Sequence, residues 1–244
     1  MVTFVPGNGT DEARWRAWPA LAELPLLDVT PCRRAVVVAP HPDDETLAVG
    51  GLMAVLLAAG AEVVLVAATD GEASHPGSTA LSPERLREVR TTETTAALAA
   101  LGRVEQVRLG LPDGGLAAHE ATLAAVLARR LGPDDWCVAP YDADAHPDHD
   151  AGGRAAQTAC DRTGARLLSY PLWAWHWANP DDTRLPWHRA RRLPLPANAL
   201  RRKQLALACY PSQTEPLGPA PEDAAVVPPA VLAHFQRPYE VLFA

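Results

Sequence analysis

Two short segments concentrate imidazoles and carboxylates: His41-Pro42-Asp43-Asp44-Glu45 and His146-Pro147-Asp148-His149. The first follows directly on the apolar run Ala35–Ala39, and the second lies a few residues past Trp136–Ala139. Imidazole and carboxylate together suit a catalytic divalent metal, which takes three protein groups and keeps one position for water. His41, Asp44 and His149 supply two imidazoles and one carboxylate, with His41 and Asp44 in one tight turn stiffened by Pro42. The doubled aspartate leaves Asp43 free beside the metal-bound water, where a general base belongs. A metal that brings the water pKa down to about 7 makes a carboxylate a sufficient base. His146, on the same loop as His149, can stabilise an oxyanion or protonate a leaving amine. Asp148 can keep His146 charged, since a neighbouring carboxylate raises an imidazole pKa. Zinc and ferrous iron both accept such a ligand set.

These groups need elements that bring residues about a hundred apart into one place. Apolar runs alternate with helical patterns, which predicts repeated βα units and a parallel sheet. Strands are predicted at Arg34–Ala39, Glu62–Ala68, Val104–Leu109, Trp136–Ala139 and Arg166–Tyr170. Helices are predicted at Glu45–Ala59, from the Ser82-Pro83 start to Leu101, and at Leu116–Leu131, Asp150–Arg162 and Arg201–Tyr210, with Pro140–Asp148 a loop. The Val/Ala/Leu runs read as strands buried on both faces. The expected architecture is a three-layer Rossmann-like α/β sandwich with a mostly parallel sheet. In such sheets ligands bind beyond the carboxyl ends of the strands at the switch point, which the first and fourth strands flank. Both clusters follow those two strands. From Pro171 the chain becomes rich in proline and tryptophan. We expect one domain over residues 1–244, with a core at about 34–170 and an extension at about 171–244 that packs beside the sheet and shapes a pocket.

Each group also has an ordinary structural use. Asp43, Asp44 and Glu45 can cap a helix, and His146 and His149 can be solvated loop residues. The other histidines (His75, His119, His176, His188, His234) lack comparable clusters and are expected at the surface or in the substrate pocket. The net charge of −7 argues against a nucleic-acid surface. Four cysteines without a Cys-x-x-Cys pair predict reduced thiols and no disulfide framework. The stretch Met1–Asp11 has no basic start followed by an apolar run. The run Leu47–Ala61 is interrupted by glycines and falls short of a membrane span. A soluble cytoplasmic protein is expected. The oligomeric state is not readable.

The chain resembles the PIG-L/LmbE-like family of zinc-dependent N-deacetylases. The family's His-Pro-Asp-Asp-Glu turn is matched by His41–Glu45 and its His-Pro-Asp-His by His146–His149. Its Thr-x-Gly-Glu loop is matched by Thr69–Glu72, its Arg-x-x-Glu helix by Arg90–Glu93 running to Leu101-Gly102, and a further loop by Leu111–Gly114. A weaker echo lies in Tyr210–Gln213. The resemblance covers roughly residues 34–170. It implies hydrolysis of an N-acetyl or other N-acyl amide on an amino sugar or glycoconjugate. His41, Asp44 and His149 would bind the metal, with Zn2+ expected and Fe2+ the alternative. Asp43 would be the base, and His146, backed by Asp148, the acid or oxyanion stabiliser. Arg90 and Asp113 would contact the sugar, although Arg90 with Glu93 also fits a surface ion pair and Asp113 a turn. Some members place a tyrosine near the second motif. Here Asp144 stands two residues before His146 and the nearest tyrosine is Tyr141, which leaves more of the stabilisation to His146. The stretch Trp173–Trp177 fits core packing, but its proline flanks favour a pocket wall or lid. Two alternatives remain at this level: a deacylase for longer acyl amides on a natural-product or thiol precursor, and a non-catalytic zinc- or sugar-binding protein. A Gly-rich dinucleotide turn is missing after the first strand, which disfavours an oxidoreductase.

Overall fold

In the first strand, β1 (Arg34–Ala39), every residue after Arg34 is buried. Ala35, Val37 and Ala39 enter one apolar core while Val36 and Val38 enter another on the opposite face. That two-sided burial explains the unbroken apolar run. The computed structural model describes residues 9–244, so most of the N-terminal stretch considered above lies outside the described residues. The elements in chain order are α1 (Glu12–Arg16), α2 (Pro19–Glu23), β1, α3 (Asp44–Ala58), β2 (Glu62–Thr69), α4 (Pro83–Leu101), β3 (Glu105–Leu111) and α5 (Leu116–Ala128). Then follow β4 (Trp136–Pro140), α6 (Pro147–Thr163), β5 (Arg166–Tyr170), α7 (Ala174–Trp177), β6 (Ala190–Pro194), α8 (Ala197–Leu207), α9 (Pro211–Thr214), α10 (Pro229–Leu232) and β7 (Tyr239–Phe243). Seven strands form one sheet in the order β3-β2-β1-β4-β5-β7-β6. The first five are parallel, and β7 runs antiparallel to both neighbours. The mixed three-layer architecture read from the sequence is the one observed, with β1 and β4 adjacent where the order turns.

Three expectations need correction. The segment after Pro171 does not merely pack beside the sheet, because β7 and β6 continue it. Their signal is weak in sequence, since Ala190–Pro194 carries two arginines and Tyr239–Phe243 is short and follows a proline-rich stretch. The second motif is not a loop. His146 is the N-cap of α6 and Pro147 its first residue, a favoured place for proline. His234 is neither at the surface nor in the pocket. Its Nδ1 lies 2.8 Å from Glu12 Oε2, in a buried cluster with Arg237. Among the described residues no helix is long and apolar enough to cross a membrane.

The same cluster ties α1 to the C-terminal segment. Glu12 accepts hydrogen bonds from Arg237 Nε at 2.8 Å and Nη2 at 2.6 Å. The Arg237 guanidinium lies 4.1 Å from the Trp175 ring centroid, and Trp15 donates its indole N–H to the Trp175 carbonyl at 2.9 Å. Burial alone would raise the Glu12 carboxyl, but the bonds from Arg237 and His234 outweigh it and hold it at about 2. A depressed carboxyl contributes stability above its ordinary value of 4.5 and loses it as the pH falls through about 2. Glu12→Gln is therefore expected to cost about 3 kcal/mol near pH 7. Urea melts of both proteins should show the difference shrinking from pH 5 towards pH 2. A pH-independent difference would remove the charge from the account.

Candidate metal centre

Parallel pairing aligns Val36 with Cys137 and Val37 with Val138, so β1 and β4 release their turns side by side. The helix that follows β4 must then approach its own strand closely. Gly153 makes that approach possible, because a Cβ there would sit 2.7 Å from the Pro140 carbonyl oxygen and 2.8 Å from Asp142 main-chain atoms. The result is a knot of three imidazoles. Ring centroids lie 4.9 Å apart for His41–His146, 5.4 Å for His41–His149 and 4.6 Å for His146–His149.

Asp44 Oδ2 lies 3.2 Å from His41 Nδ1 and 3.3 Å from His149 Nε2. His149 is fully buried, and its Nε2 has no hydrogen-bond partner. An orphaned buried imidazole nitrogen beside a carboxylate is costly unless something else occupies the space between them. A divalent cation bound by His41 Nδ1, Asp44 Oδ2 and His149 Nε2 would satisfy all three. The far nitrogens support this assignment. His149 Nδ1 lies 2.8 Å from Asp144 Oδ2, and His41 Nε2 lies 3.2 Å from both Asp148 Oδ2 and Asp113 Oδ1. Metal-bound histidines characteristically give their other nitrogen to a carboxylate. Burial opposes charge on His149, but Asp44 and Asp144 outweigh it and raise the imidazole to about 9. Burial likewise opposes charge on Asp44, yet His149 and His41 hold it well below the usual carboxylate range.

Asp43 stands beside these groups without serving the helix. It is the N-cap of α3 but makes no side-chain capping bond, and its backbone is left-handed at φ 102°. Its carboxylate is buried, 3.6 Å from Arg90 Nη2. Burial pushes the Asp43 carboxyl well above its ordinary range; Arg90 pulls it back, and Asp44 and Glu45 add to the rise. Left-handed backbone at a non-glycine residue is uncommon and clusters at functional sites.

His146 receives the Asp148 backbone N–H at Nδ1, at 3.2 Å. That bond fixes the tautomer with the proton on Nε2. Asp148 does not back His146 as expected from their spacing. The first turn of α6 carries its side chain towards β3, where it accepts the Gly114 and Leu116 N–H groups at 2.8 and 3.0 Å and pairs with His41. Nor is His146 held charged. Burial first, then the neighbouring His149 and His41, lower it to about 3.

Arg90 and Asp113 part company. Asp113 faces the centre through His41 and also accepts the Ala73 N–H at 2.8 Å. Arg90, only 3% exposed, donates to the carbonyls of Gly71 at 2.9 Å and Pro42 at 2.5 Å. It passes so close to Gly71, at φ +70°, that a Cβ there would collide with the guanidinium. With these two bonds Arg90 braces the turn that carries Asp43. The surface ion pair with Glu93 is absent, since Glu93 instead accepts the Ser212 N–H at 2.9 Å and hydroxyl at 2.6 Å. Tyr210 donates to Glu45 Oε1 at 2.6 Å. The Tyr210–Gln213 echo is therefore a clamp on the first helix turn. Trp175 is core, 4% exposed, while Trp173 and Trp177 are half-buried. Asp144, read from the sequence only as standing where some family members carry a tyrosine, is one of several aspartates in this stretch, and its one local signal is its place five residues before the proposed ligand His149.

The chain is similar to known proteins in sequence and in fold. A deacetylase for 1D-myo-inositol 2-acetamido-2-deoxy-alpha-D-glucopyranoside from Nakamurella multipartita is 36% identical over 148 residues, 55% of this chain and 46% of that protein. The enzyme of the same name from Streptomyces avermitilis is 30% identical over 207 residues, 72% of this chain and 68% of that one. The chain thus spans about half the length of the first and about two thirds of the second. Among solved structures, the conserved protein TT1542 from Thermus thermophilus superposes with a TM-score of 0.56 at 30% identity, covering 73% of this chain and 79% of that one. The family model described as PIG-L, GlcNAc-PI de-N-acetylase, matches residues 36–160, from β1 through both histidine motifs and most of α6. The chain belongs to the PIG-L family.

Proposed function

We propose that this protein is a zinc-dependent hydrolase that removes the N-acetyl group from a small amino-sugar compound. The observation that carries the reading is the convergence of His41, Asp44 and the orphaned His149 Nε2 beside an Asp43 carboxylate that caps nothing. A zinc ion held by the three ligands would polarise the amide carbonyl and acidify a water. Asp43 accepts the proton of the attacking water as the new C–O bond forms, and later returns it to the nitrogen as the C–N bond breaks. His146, neutral with its proton on Nε2, donates a hydrogen bond to the carbonyl oxygen as that oxygen becomes negative. Arg90 holds the Asp43 turn, and Asp113 and Asp148 hold His41. The chain works as one domain, in which the segment from Pro171 reaches the site through the turn at Leu172–Ala174, whose N–H groups meet Asp144.

The names of the relatives suggest an N-acetylglucosaminyl inositol or a similar glycoside as substrate. Release of free amine should be measured on a panel of N-acetylglucosaminyl compounds, with long-chain N-acyl counterparts alongside. The acetyl compounds should be preferred, and preference for long acyl chains would favour the deacylase alternative. Asp43→Ala should keep its zinc and lose turnover by about a hundred- to ten-thousand-fold; normal turnover in a zinc-loaded variant would sink the base assignment. His149→Ala should emerge from purification with little zinc by metal analysis. Full occupancy there would mean that the ligand set is wrong.

A further inference from the structure

Asp144 is fully buried, and beyond its contact with His149 its carboxylate gathers three backbone N–H groups, four hydrogen bonds in all. Oδ1 accepts the backbone N–H groups of Leu172 and Ala174, each at 2.9 Å. Oδ2 accepts the Trp173 N–H at 2.9 Å and lies 2.8 Å from His149 Nδ1. The Asp144 carbonyl takes the indole N–H of Trp177 at 2.8 Å. One side chain thus holds the ring of a proposed ligand and the whole turn that opens the tryptophan-rich segment. That segment is anchored in turn: Trp175 packs edge-on against Trp15, with centroids 5.0 Å apart, and beneath Arg237.

We infer that Asp144 is a positioning residue that couples metal binding at His149 to the ordering of the Leu172–Ala174 turn. This rests on the metal reading proposed above. The chemistry is that of a tautomer. Asp144 Oδ2 also accepts the Trp173 N–H, so with a metal bound His149 would keep its proton on Nδ1 towards that oxygen and turn a lone pair at Nε2 to the metal. The same oxygen orders the Trp173 amide. A metal drawing on Nε2 makes the Nδ1–H a stronger donor and tightens its bond to Asp144. By linkage, whatever metal binding gains from an ordered turn, the turn gains from bound metal.

Asp144→Asn preserves shape but offers one acceptor oxygen instead of two. If that oxygen stays with Leu172 and Ala174, an amide donor faces His149 Nδ1. The ring must then accept there and carry its proton on Nε2, where zinc needs a lone pair. If the amide turns over, Leu172 and Ala174 lose their acceptor and the turn loosens. Either arrangement weakens zinc, because the link needs both oxygens.

The test uses the full chain, with zinc affinity read by chelator competition and amide exchange at Leu172–Ala174 followed with and without zinc. Asp144→Asn should bind zinc about 10- to 100-fold more weakly and lose the zinc-dependent slowing of exchange that the parent shows. Wild-type affinity in a folded Asp144→Asn protein would overturn the inference and leave Asp144 a structural anchor only. If that variant does not fold, the parent protein still decides: identical exchange at Leu172–Ala174 in stripped and fully loaded protein overturns the coupling. Failure of the metal reading looks different, because the parent would then take up no more zinc than His149→Ala.

Discussion

The pairing of β1 with β4 is what the rest of the site depends on. Neither histidine motif is a site alone. The first is a helix start with one imidazole, and the second is a helix start with two. Because Ala35, Val36 and Val37 lie in register against Trp136, Cys137 and Val138, both strands leave the sheet at the same level and their turns meet. Two-sided burial of these strands makes the register expensive to change, since a slip by one residue would move every side chain to the other face. The apolar interior thereby supplies the precision of a polar centre.

Burying that centre then sets a charge problem. Asp43, Asp44, Asp144 and Asp148 are all nearly inaccessible to water, and each ionised carboxylate in such a place needs donors. The chain provides them in different ways. Asp144 and Asp148 draw on backbone amides of segments distant in sequence, Asp44 on two imidazoles and the His41 N–H at 2.8 Å. Asp43 alone relies on a single long-range neighbour, Arg90. The division matches the proposed roles: the well-supplied carboxylates hold things still, and the poorly supplied one remains free to take up a proton.

Much of this was legible in the chain. The five parallel strands and the switch point followed from apolar runs, and the proposed ligand and base residues from type and spacing at strand ends. The missing parts share a physical cause. Side-chain direction at a helix start depends on the cap, so Asp148 was assigned to the nearer histidine when the first turn of α6 carries it to the other. The bracing role of Arg90 could not be read from sequence, because its partners are carbonyls of loops whose path only the fold reveals. The strands β6 and β7 carry too little apolar pattern to announce themselves, and the backbone partners of Asp144 lie about thirty residues away, where spacing to His149 gives no hint of them.

The left-handed backbone at Asp43 carries one more consequence. The residue proposed for the proton transfer sits in a conformation that disfavours side chains, is desolvated, and lies beside two other acids. Glycine would relieve the first burden and any neutral side chain the other two. This position therefore opposes the fold it belongs to, and replacing it is a route to a more robust but inert protein. Variants chosen only for surviving heat would drift away from aspartate here, so thermal selection on this scaffold must be coupled to a demand for turnover.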